Sequence, residues 1–139
     1  MSLAGALQAA LAGEHAAVYA YGVIGGVVGP TGTTAALARD AFGAHQARRD
    51  TLDQLVRALG DDPAPAEPGY SLPVPVTSAD DAELLARQVE DHCAVLYAAV
   101  VASTTGGRRV RAAGWLEDAA TRALGWGAPP SAFPGVGLP

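Results

Sequence analysis

Ionisable side chains lie on or beside the apolar stripe of each of four helical stretches in this sequence. Successive residues of a helix are about 100° apart, which sets the residues that share a face. A lone carboxylate buried in a core costs on the order of several kcal/mol, so it must pair, bind a metal ion or stay protonated. Carboxylates and imidazoles are also ligands of iron and manganese. The sequence therefore predicts one polar centre inside the fold, built from Glu14, His45, Glu90 and Glu117.

Cationic and phenolic side chains share these stripes. Arg48 and Arg49 sit on either side of the His45 face, and a guanidinium cannot bind a metal ion but pairs well with carboxylates. A tyrosine follows a glutamate by seven residues in two helices, which places both on one face two turns apart. We therefore expect no catalytic residue, and a buried polar network of Glu14, His45, Arg48, Arg49, Glu90, Glu117, Tyr21 and Tyr97.

Helical periodicity and chain breakers define the elements that must position these groups. Ser2 caps the first helix, a Gly-Pro-Thr-Gly segment separates it from the second, Ser78 with Asp81 caps the third, and Gly106-Gly107 precedes the fourth. The apolar stripe of the fourth helix is predicted as Val110, Ala113, Ala120, Thr121 and Leu124, with Glu117 in its middle. The predicted helices cover about residues 3–28, 34–59, 79–103 and 108–124.

The connections between the helices predict their topology. Short links join helices 1 and 2 and helices 3 and 4, so each pair should form an antiparallel hairpin. The proline-rich segment 61–77 is long enough to cross the length of a bundle. These features predict an all-α, ferritin-like antiparallel four-helix bundle in a single domain over 1–139. We expect an extended tail over 125–139, held on the bundle by Trp126 and Phe133.

Four segments resemble a family of small bacterial ferritin-like proteins of unknown function. They are GEHAAVYAYG (13–22), AHQARRDTL (44–52), YSLPVPVTSADDA (70–82) and AFPG (132–135). The resemblance implies a ferritin-like domain, often dimeric, without an established activity.

In ferritin-like di-iron proteins, helices 1 and 3 each supply a Glu, and helices 2 and 4 each supply Glu-x-x-His. Glu14 and Glu90 match the first pair. His45 and Arg48 stand where the second helix would carry its Glu and His, and Ala120 replaces the His of the fourth. Both Glu-x-x-His motifs are therefore broken, and we expect a degenerate site without a cofactor. The alternative is an iron or manganese site.

Charge and composition exclude several classes of function. The net charge is −5 and the chain has no lysine, which argues against nucleic-acid binding. The uncharged run from Ala16 to Gly29 is shorter than the roughly 20 residues that span a membrane. A single cysteine, Cys93, excludes an internal disulfide and reads as a small core residue. Because no basic leader is visible, we expect a cytoplasmic protein.

The first helix is apolar on its outer side as well, through Ala12, Tyr19, Val23 and Val27. A helix that is apolar all round is buried all round, which predicts a homodimer through helix 1. The preferred hypothesis is a non-catalytic homodimeric module of unknown activity. The alternatives are a metal-dependent oxidoreductase and a binder of a small apolar ligand held between the helices.

Overall fold

The computed structural model describes residues 1–137, and four α-helices account for most of this part of the chain. They are α1 (Leu3–Val28), α2 (Thr33–Ala58), α3 (Ala79–Ser103) and α4 (Gly106–Gly125). Within these residues there is no β-strand, so the prediction of an all-α four-helix fold is confirmed. Every helix begins and ends within two residues of its predicted bound.

Local capping contacts explain where the helices begin and end. The Ser2 hydroxyl accepts a hydrogen bond from the Gly5 amide at 3.0 Å at the start of α1. At the start of α3, the Ser78 hydroxyl accepts from the Asp81 amide at 3.2 Å. The Asp81 carboxylate in turn accepts from the Thr77 amide at 3.0 Å, which completes a reciprocal cap. Gly29 ends α1 with a φ of 80°, which a residue with a Cβ rarely adopts.

The four helices close into a bundle. α1 packs against α2 and α3, and α3 packs against α4. Two ion pairs join α2 to α4, from Arg48 to Asp118 at 2.8 Å and from Arg122 to Asp40 at 2.7 Å. None of the four helices is long and apolar enough to cross a membrane.

The crossover 61–77 follows the outside of α1 from its beginning toward its end. The Gln8 side chain donates to the Asp62 carbonyl at 2.7 Å, and His15 Nε2 lies 2.9 Å from the Ala64 carbonyl. Farther along, the ring of Tyr19 packs on that of Tyr70, with centroids 5.5 Å apart. This path returns the chain to the far end of the bundle, so α3 runs antiparallel to α1. It also covers part of the outer face of α1 that we expected a second copy to cover.

Apolar layers lie at both ends of the bundle and leave its middle for polar groups. One layer contains Leu7, Leu11, Leu52, Val56 and Val100. The other contains Tyr21, Ile24, Ala41, Leu85 and Trp126.

The predicted stripe of α4 is wrong by one residue. The buried residues of α4 are Ala112, Ala119 and Ala123, whereas Val110 is 72% exposed and Leu124 is 48% exposed. The helix packs its small side chains inward because they allow its backbone to approach α3 closely. A rule that assigns the largest apolar side chains to the core therefore rotates this helix by about 100°.

The tail is held differently from the prediction. Trp126 is buried as expected, but Phe133 is 63% exposed. Close contact comes instead from Gly135, which has a φ of 75° and lies so near α3 that a Cβ would be 2.3 Å from the Ala94 carbonyl oxygen. The turn at Gly135, rather than an aromatic anchor at Phe133, fits the tail against the bundle.

Candidate functional site

A histidine on α2 bridges two glutamates in the middle of the bundle. His45 Nδ1 lies 2.6 Å from Glu14 Oε2, and His45 Nε2 lies 3.0 Å from Glu90 Oε1. All three residues are fully buried. A neutral imidazole has one N–H donor, whereas an imidazolium has two and satisfies both carboxyl groups. Burial alone would lower the pKa of His45, but its hydrogen bonds to Glu14 and Glu90 raise it to about 9.

Two tyrosines complete the bridge in a crossed arrangement. The Tyr21 hydroxyl of α1 donates to Glu90 Oε1 of α3 at 2.5 Å, and the Tyr97 hydroxyl of α3 donates to Glu14 Oε1 of α1. Each tyrosine thus donates a hydrogen bond to the glutamate of the other helix. Seven residues rise about 10.5 Å along a helix, so in two antiparallel helices the tyrosine of one is level with the glutamate of the other.

Burial keeps both phenols protonated. It raises the pKa of Tyr21 and of Tyr97 well above the usual range, and the neighbouring Glu90 and Glu14 carboxyl groups raise them further. Trp126 Nε1 donates to the Tyr21 hydroxyl at 3.1 Å. The phenols are therefore stable hydrogen-bond donors to the two glutamates.

Arg48 reaches the bridge through a tyrosine. Its Nη1 donates to the Tyr97 hydroxyl at 2.9 Å, and its Nη2 donates to Asp118 Oδ2 at 2.8 Å. The guanidinium also lies over the Tyr97 ring, 4.9 Å from the centroid. Burial would lower the pKa of Arg48, but Tyr97 and Asp118 raise it. Arg48 is thus a cation that polarises Tyr97 without pairing directly with Glu14 or Glu90.

The structure brings together six of the eight side chains predicted for the network, Glu14, Tyr21, His45, Arg48, Glu90 and Tyr97. Two predictions are wrong. Arg49 is 30% exposed and pairs with its neighbour Asp50 at 3.0 Å, because the residue after Arg48 lies about 100° farther round the helix. Glu117 is exposed, because α4 is rotated by one residue, and Asp118 takes the place predicted for it.

Asp118 links the buried network to the surface. Besides Arg48, it accepts from Arg122 Nε at 2.9 Å. Burial raises the pKa of Asp118, but Arg48 and Arg122 outweigh that effect and lower it. The spacing in the sequence could have indicated the ion pair with Arg122, because residues four apart on a helix are neighbours on its surface.

Cys93 is a second residue that the sequence analysis did not assign to the centre. Its sulfur and the ligand atoms of Glu14 and His45 all lie within 4.8 Å of one another. Burial raises the pKa of this thiol well above its usual value. The available signal was its spacing, because Cys93 follows Glu90 by three residues and therefore shares its face. The second carboxyl oxygen of Glu90, Oε2, is buried and has no hydrogen-bond partner among residues 1–137.

Comparison with known proteins identifies a family and a solved structure that the chain resembles. The family described as Domain of unknown function (DUF4439) matches residues 6–137. The chain is also similar to the crystal structure of a conserved hypothetical protein, rv2844, from Mycobacterium tuberculosis, at 37% identity and a TM-score of 0.83. That match covers 88% of this chain and 92% of the other. No curated protein matches the sequence. The expected relationship to a family of unknown function is thus confirmed.

Proposed function

We propose that this chain, which belongs to the DUF4439 family, is a non-catalytic ferritin-like bundle. In this bundle a protonated histidine replaces a di-iron centre. The observation that carries this proposal is the position of His45, with one ring nitrogen against each of Glu14 and Glu90. The two-hairpin topology with one long crossover is that of ferritin-like folds.

Charge balance supports a self-sufficient network. Glu14 and Glu90 contribute two formal negative charges, and His45 contributes a positive charge directly between them. Arg48 adds a second buried positive charge next to Tyr97, which it shares with the partly exposed Asp118. Ions removed from water must be compensated by opposite charge and by hydrogen bonds. The bridging imidazolium provides the two glutamates with a positive charge and with one hydrogen bond each. A metal cation at the same place would compensate the two carboxylates in a similar way.

The donor set does not fit a di-iron centre. Such a centre draws Glu-x-x-His from each of two helices, whereas α2 supplies His45 followed by Arg48, and the inward acidic residue of α4 pairs with that arginine. Both oxygens of Glu14 and both nitrogens of His45 already form hydrogen bonds. Since Glu14, His45 and Glu90 have no exposed surface, none of them meets a dissolved substrate.

Metal analysis with matched variants tests the proposal. The full chain is incubated with Fe²⁺, Mn²⁺ or Zn²⁺, desalted and analysed for bound metal, beside His45→Gln and the partly buried control His15→Gln. We expect substoichiometric metal in all three proteins. In addition, ¹⁵N NMR should show both ring nitrogens of His45 protonated at pH 7. Stoichiometric metal that is lost in His45→Gln but kept in His15→Gln would overturn the proposal.

A metal site is the second candidate, favoured by the cluster of Glu14, His45 and Cys93 and by the unpartnered Oε2 of Glu90. This ligand set differs from the predicted iron or manganese site, because Glu117 is exposed and Cys93 takes part instead. A sulfur ligand favours Zn²⁺ or Fe²⁺ over Mn²⁺. Binding would require a thiolate and a neutral imidazole, so it would release protons and strengthen as pH rises. Co²⁺ titration tests it, since sulfur-to-cobalt absorption should form in the wild type and vanish in Cys93→Ser.

We further propose a homodimer through the second half of α1. The crossover covers the face around Tyr19, but Gly22, Gly26 and Val27 are exposed beyond it. Small residues at this spacing allow two helices to approach closely. Light scattering should show a dimer for the wild type and for Val110→Asp, a control at an exposed site of α4, and a monomer for Val27→Asp. A monomeric wild type would refute the interface.

A further inference from the structure

A cavity of ≈ 240 Å³ that opens to solvent on one side lies between α1, α3 and the crossover. None of the three bridging residues lines this cavity, but Cys93 lines it and also lies next to Glu14 and His45. Its α1 wall consists of Gly13, Ala16, Ala17 and Ala20.

The small residues of α1 explain why the space is not filled. Methyl groups cannot span the gap to the proline-containing segment 70–73, which forms the outer wall. At one end the Leu96 side chain occupies the place of a Gly13 side chain, since a Cβ there would be 2.2 Å from Leu96 Cδ1. The remaining volume is therefore built into the packing of α1 against its neighbours.

The lining indicates the chemistry of a ligand. It includes no Asp, Glu, Lys or Arg, and most of it is apolar, from residues such as Leu72, Leu85 and Val89. Ser71 and His92 also line it, on its solvent-exposed side. Gln88 also lines the cavity, and its Oε1 is buried without a hydrogen-bond partner among the described residues. A buried acceptor in this state is unfavourable until a donor reaches it. A fitting ligand is thus uncharged and apolar, with one N–H or O–H group.

The volume sets the size of the ligand. A dry protein cavity of about 150 Å³ holds benzene, which has six non-hydrogen atoms. Scaling by volume gives about ten such atoms for this cavity. Tyr70 at the wall offers a ring against which a flat molecule packs well.

We propose that this cavity binds a small uncharged aromatic molecule of the size of indole, with its single N–H or O–H group donating to Gln88. This inference goes beyond the function proposed for the polar cluster and does not depend on the metal content of that cluster. A ligand here would contact Cys93 and so reach the edge of the His45 network, while leaving the three bridging groups in place.

Titration of the ¹⁵N-labelled full chain with indole tests the proposal, with benzofuran as a matched probe that has the same shape but no donor. We expect saturable shifts confined to the amides around Ala16, Ala20 and Gln88, and binding of benzofuran about ten-fold weaker than that of indole. No saturable shift with indole, or equal affinity for the two probes, would overturn the proposal.

Three variants locate the site. Ala16→Leu places a larger side chain in the cavity and should abolish binding, whereas Ala12→Leu, one turn earlier at an exposed site, should bind as the wild type does. Gln88→Leu removes the acceptor and should weaken indole to the level of benzofuran without changing benzofuran affinity. Equal binding by Ala16→Leu and Ala12→Leu would refute the location, and an unchanged indole affinity in Gln88→Leu would refute the hydrogen bond. Metal content should be the same in all of these proteins.

Discussion

Raising the pH should remove a defined part of the stability of this protein, because His45 is more basic in the folded chain than in the unfolded chain. Its pKa rises from 6.5 to about 9 on folding. The proton bound at low pH therefore stabilises the folded state fully below pH 6.5, and this stabilisation is lost as the pH rises toward 9. A difference of about 2.5 pKa units corresponds to about 3 kcal/mol.

Urea denaturation at pH 6, 7, 8 and 9 measures this loss. The unfolding free energy of the wild type should fall by about 3 kcal/mol over the series, whereas that of His45→Gln should not show this fall. His15 and His92 remain in both proteins, so the difference isolates His45. Burial of Cys93 raises its pKa well above 9.0, so its thiol lowers stability only as the pH approaches and passes that value.

An NMR titration of the His45 ring provides a test that needs no variant. Its midpoint should lie near pH 9. A midpoint at or below 6.5, or equal pH slopes for the wild type and His45→Gln, would refute the bridging imidazolium.

Two further predictions concern pairs of neighbouring residues. Arg48→Met should cost about 3 kcal/mol because it removes a buried cation that pairs with Asp118 and donates to the Tyr97 hydroxyl, whereas Arg49→Met should change stability by less than about 0.5 kcal/mol. Chemical denaturation of both variants distinguishes them, and equal effects would contradict the assignment. Gly135→Ala should lower the melting temperature and free the tail for proteolysis, because its φ is 75° and the new Cβ would meet Ala94. Gly137→Ala, which meets nothing within 4 Å, should leave both measurements unchanged.

Much of the polar centre was predictable because helix periodicity reports which residues share a face. Glu14 lies among apolar residues at spacings of three and four, and His45 lies on the α2 face that carries Ala41, Leu52 and Val56. Their burial therefore follows from α1 and α2 being helices, and Arg48 shares the face of His45 one turn later. Periodicity was a poor guide in α4, where alanines occur in adjacent pairs at 112–113 and 119–120, so that two neighbouring faces look similar. The rotation that exposes Glu117 and turns Asp118 toward Arg48 depends on how closely the α4 backbone approaches α3.

The sequence by itself determined the helices, their ends and the order of the connections, because caps, breakers and periodicity act over a few neighbouring residues. It also placed Glu14 and Glu90 each seven residues before a tyrosine. Only the tertiary structure decided that each tyrosine donates to the glutamate of the other helix and that His45 lies between the two carboxyl groups. Those contacts depend on the antiparallel direction and vertical alignment of α1 and α3, which the path of the crossover and the packing of distant residues set together.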